Sequence, residues 1–103
     1  MRPKPSAFPE LRRVFSGYLH EDVFAEAGTP GAALRTFWAD AAPDERRRFQ
    51  REVGRFLALT APLTFDDVRD LVHQLGSQWI PPSREELAAL LTSTSNLPEP
   101  SPR

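Results

Sequence analysis

His20, Glu21 and Asp22 follow one another directly, and His73 is the only other histidine of the 103-residue chain. An imidazole beside two carboxylates is the donor set of a metal site or of general acid–base chemistry. The spacing argues against both. Metal motifs on helices place their ligands about one turn apart, whereas three successive side chains point in different directions. No serine or lysine stands beside either histidine in a nucleophile motif, and no cysteine is present to supply a thiolate or a disulfide. The sequence therefore predicts no catalytic residue, no metal site and no cofactor. His20 and Asp22 are expected to fix the turn after a first helix, and His73, next to Val72, to lie at the edge of an apolar stripe. An enzyme using His20 and Asp22 stays open as an alternative.

Charge is the other source of chemistry. Glu21, Asp22 and Glu26 form one acidic group between two helical segments, and Asp66, Asp67 and Asp70 form a second at the start of a later helix. Acidic residues in a first turn are expected from the helix dipole alone. If the two groups share a side, they make an anionic patch for a basic partner. Arg46, Arg47 and Arg48, with Arg51 and Arg55 behind them, make one helix locally basic. Arg48, Arg51 and Arg55 share a stripe that could follow a phosphate backbone, so a small helical DNA-binding regulator is a second reading. A solvated face, partly neutralised by helical pairing with Asp44, Glu45 and Glu52, is the simpler one. The formal net charge of -1 and a pI near 6.1 supply no global field for nucleic acid or an anionic membrane. Gly28-Thr29-Pro30-Gly31 lacks the Gly-Lys-Ser/Thr of a phosphate loop and marks a helix boundary.

The elements that must position these residues are helical. The length suits one domain, and eleven prolines punctuate it. Residues 1–6 and 94–103 are polar and proline-rich and are expected to be disordered tails around a domain at 7–93. Phe8, Leu11, Phe15 and Tyr18 recur at helical spacing in a first helix over about residues 8–19. Thr29 as N-cap and Pro30 at the first position open a second, with Leu34, Phe37, Trp38 and Ala41 on one face. A third runs from Pro43 to about Leu59 with Phe49, Val53, Phe56 and Leu57 inward. Thr64 and Asp67 open a fourth, with Phe65, Val68, Leu71, Val72 and Leu75 inward, and Gly76 is placed to end it in a left-handed turn. Ser83 and Glu86 open a fifth carrying Leu87, Leu90 and Leu91. No segment alternates long enough for a strand, so the expected fold is all-α, a single compact bundle of four to five short helices. No apolar run approaches the roughly 20 residues of a membrane span. The basic first residues lack the apolar stretch of a signal peptide, and a cytoplasmic location with no membrane partner is expected.

The order of the pieces resembles a known family. Phe8-Pro9-Glu10-Leu11, then Phe15-Ser16-Gly17-Tyr18-Leu19-His20-Glu21-Asp22, then Gly28-Thr29-Pro30 before an alanine-rich helix, and finally Leu75-Gly76-Ser77-Gln78-Trp79-Ile80-Pro81-Pro82, look like contact-dependent growth inhibition immunity proteins. The likeness covers about residues 8–91. Glu21, Val23 and Leu19 depart from it, standing where the family commonly has glutamine, an aromatic and phenylalanine. The resemblance implies an all-helical protein without turnover or cofactor that binds and neutralises the toxic C-terminal domain delivered by a neighbouring bacterium. It also implies structural roles for Phe15, Gly17, Tyr18, His20, Asp22, Thr29, Pro30, Gly76 and Trp79. Such toxins are often nucleases with basic clefts, which makes Glu21, Asp22, Glu26, Asp66, Asp67 and Asp70 the expected contacts.

Overall fold

The computed structural model describes residues 3–20 and 28–100. A short 3-10 turn over Pro5–Ala7 leads into α1 (Pro9–Tyr18), followed by α2 (Pro30–Asp40), α3 (Pro43–Thr60), α4 (Phe65–Gln74) and α5 (Arg84–Ser95). There is no strand among the described residues. The fold is all-α, as the spacing predicts.

Helix starts follow local chemistry. Thr29, Thr64 and Ser83 are extended N-caps whose hydroxyls accept the N–H groups of Ala32, Asp67 and Glu86, and proline fills the first turn of α1, α2 and α3. Gly76 takes φ +100° after α4, a conformation that side-chain-bearing residues rarely adopt.

α1 packs on α2 and α3, and α5 closes the ring by packing on the same two helices. The centre of this quartet is filled by Phe8, Phe15, Phe49 and Phe56, all fully buried, with Leu11, Leu34 and Leu91 around them. Each such side chain contributes about 1.5–3 kcal/mol relative to exposure. Phe8 stands edge-on to Phe56 at 5.3 Å, and Phe37 tilts onto Phe49 at 5.1 Å. α4 joins the core through Val68, Leu71, Val72 and Leu75.

Packing reaches past the boundary expected at residue 93. Thr94 is buried, Leu97 packs against the core, and the Trp38 indole N–H donates to the Pro98 carbonyl at 3.0 Å. Composition missed this because each contact is made by a lone residue or a backbone carbonyl, not by an apolar stripe.

Candidate partner-binding surface

Two of the segments that carry the family resemblance meet in space. The Leu19 carbonyl, at the end of α1, accepts the N–H of Gln78 at 2.8 Å. A Cβ on Gly76 would lie 2.7 Å from Ser16 Cβ, so only glycine lets the turn after α4 approach α1 this closely. Buried Ser77 donates to the Trp79 carbonyl at 2.8 Å, and Trp79 lies half-buried against the core. The second motif thus closes over the C-terminal end of α1. The final amide of α1, that of Leu19, returns to the Phe15 carbonyl at 3.0 Å, which completes the helix from its own backbone.

Phe15 is fully buried, Thr29 and Pro30 form the start of α2, and Tyr18 stands edge-on to Phe37 at 5.6 Å. Gly17 is the penultimate residue of α1, so it stands at the helix end and not at a close packing contact. It is exposed, and a Cβ there would meet nothing within 4 Å. His20 is half-buried beyond the end of α1.

Of the acidic residues, Asp66, Asp67 and Asp70 lie on α4, with Asp66 and Asp70 exposed and Asp66 paired to Arg69 at 2.5 Å. Glu21, Asp22 and Glu26 lie outside the described residues.

The basic helix has work inside the fold. Arg46 is buried, and its guanidinium donates to the Trp38 carbonyl at 2.9 Å and the Ala41 carbonyl at 2.6 Å, closing the C-terminal end of α2. It also lies 3.4 Å from Glu99 and 5.8 Å over the Trp38 ring. Arg48 pairs with Glu10 at 2.8 Å, which raises its already high pKa chiefly through that hydrogen bond. Arg55 donates to the Ala7 carbonyl and lies over the Phe8 ring. Asp44 makes a helical pair, but with Arg47 and not with a residue of the stripe. Glu45 and Glu52, by contrast, turn away from their own helix. Glu45 accepts Arg13, and buried Glu52 accepts the N–H groups of Glu10 and Leu11 at 3.0 Å, capping α1 from α3. Sequence spacing offered helical neighbours as partners; tertiary placement supplied nearer ones. The only sequence signal for Glu52 is that a carboxylate falls one position before inward Val53.

A family model described as CdiI immunity protein matches residues 7–95. This chain belongs to the CdiI immunity protein family. No curated protein and no solved structure matches it. The family is one of toxin-neutralising immunity proteins, and its partner is a cognate toxin protein. The Phe15–Tyr18 and Leu75–Trp79 segments that mutually close in the fold both fall within the matched residues. No helix among the described residues is long and apolar enough to cross a membrane.

Proposed function

We propose that this CdiI immunity protein neutralises its toxin in the cytoplasm by stoichiometric binding, without turnover, and that the toxin domain is a nuclease. Family membership across residues 7–95 is the observation that carries the reading. A nuclease cleft is lined with cations that receive phosphates, and carboxylates on a rigid helix are suited to occupy it. Asp66, Asp67 and Asp70 on α4 are candidate contacts, with Glu21, Asp22 and Glu26 as the other group. A few well-packed anchors would carry the affinity, and charge would set the rate of encounter. Of the stripe on which the DNA-binding alternative rests, Arg48 and Arg55 are held by a carboxylate and a carbonyl of the fold, which weighs against it, and Arg51 is exposed.

The test is co-expression with the toxin domain encoded immediately upstream of this chain. The expected result is rescued growth and a one-to-one complex on gel filtration, with nuclease activity of the free toxin lost in the complex. Absence of both rescue and complex would remove the reading.

A further inference from the structure

Gly17 lowers the stability of α1 relative to alanine, as glycine does in any helix, and no neighbouring atom requires it. The space above it is one side of a shallow cleft between α1 and the junction of α2 with α3. Arg13, Gly17 and Tyr18 line one wall, and Phe37, Asp40 and Glu45 line the other. The Tyr18 phenol is pushed above the ordinary tyrosine range, first by burial and then by the Asp40 and Glu45 carboxylates, with Arg13 pulling the other way. Both carboxylates line the cleft together with the phenol. Arg13 is the one cation among these lining residues, and its guanidinium is shared between Glu45 at 2.9 Å and Glu10 at 2.7 Å. The cleft keeps a negative balance, an aromatic wall and open space over Gly17.

We propose that this cleft receives an arginine or lysine side chain of the toxin domain, its charged end between Asp40 and Glu45 and its alkyl stem over Gly17 against Tyr18. The proposal rests on the toxin-binding reading above and deepens it by naming the chemistry of one anchor. A cation gains charge-assisted hydrogen bonds from carboxylates and attraction from an aromatic face, and its stem covers apolar surface. Glu45 already accepts a guanidinium from Arg13, so the rim geometry suits that group. Glycine at position 17 then has a reason: a larger side chain would project into the cleft.

The experiment measures affinity for the upstream-encoded toxin domain by calorimetry, alongside the melting temperature of each variant. Gly17→Leu is expected to weaken binding about tenfold or more while the melting temperature holds or rises. The double variant Asp40→Asn with Glu45→Gln is expected to weaken it similarly and to flatten its salt dependence. Asp66→Asn with Asp70→Asn, on α4, serves as a contrast that tests the other acidic surface. Wild-type affinity in both cleft variants would overturn the proposal while leaving toxin binding intact. A wild-type chain that binds no toxin would overturn the functional reading and this inference with it. Should Gly17→Leu lower the melting temperature, the carboxylate variant decides alone.

Discussion

Glu52 turns both carboxylate oxygens onto the first amides of α1, where the N-cap residue Phe8 has no side-chain hydrogen bond to offer. Those amides carry the positive end of the helix dipole, so an ionised carboxylate is the group that suits them. Glu52→Ala leaves buried donors unmet and is expected to lower unfolding stability by about 2–3 kcal/mol. Glu52→Gln keeps one acceptor oxygen and is expected to lose about half of that, both read by urea denaturation. Tyr18 supports a second prediction at this scale, because it is the only tyrosine of the chain. Its phenolate absorbance should titrate above the ordinary value near 10 in the folded protein and return to it in urea. The sign follows from the raised value: the fold favours the neutral phenol, so its contribution is complete below the ordinary tyrosine value and is lost as pH rises through the folded one. Asp40→Asn should lower the folded midpoint. Neither Glu52 nor Tyr18 was legible from spacing in these roles, since their partners stand 41 and 42 residues away in the first case and across a helix junction in the second.

The starts of α2, α4 and α5 were legible because their caps are local. Thr29, Thr64 and Ser83 each accept an amide three residues on, a bond that needs no tertiary information. The ends of α1 and α2 were harder to read, for Arg46 and Gln78 reach them from other parts of the chain. Two glycines separate the local from the tertiary. Gly76→Ala places a Cβ 2.7 Å from Ser16 Cβ at a φ of +100°, and both the clash and the strained backbone oppose it. The expected loss is about 2–3 kcal/mol in denaturant unfolding. Gly17→Ala meets open space within ordinary helical backbone and should gain about 0.5 kcal/mol, less than a mid-helix site because it lies in the last turn. Equal effects at the two positions would refute the close approach of the α4 turn to α1. From sequence alone Gly76 was placed as a helix stop, and its contact with Ser16 needed the fold.

At the scale of the whole molecule, the C-terminal end of α2 and one side of α3 are closed by the last residue of α5 and the segment after it. The Trp38 indole, at the start of that seam, finds its acceptor in the Pro98 carbonyl, and Gln50 of α3 donates to the Ser95 carbonyl at 2.7 Å. Glu99 approaches the buried Arg46 guanidinium and adds a carboxylate to the two carbonyls that it already meets. Polar composition gives no hint of such a role, since backbone carbonyls serve whatever their side chains are. A chain ending at residue 93 would lose buried Thr94, the Leu97 contact and all three polar links, and exposed ion pairs elsewhere on the surface contribute too little to compensate. It is expected to be less stable than the full chain by about 2–4 kcal/mol in urea unfolding. A chain ending at residue 100 keeps every one of these contacts and should match the full chain. Equal stability of all three would mean that residues 94–100 merely lie against the bundle, and would restore the shorter domain that composition suggests.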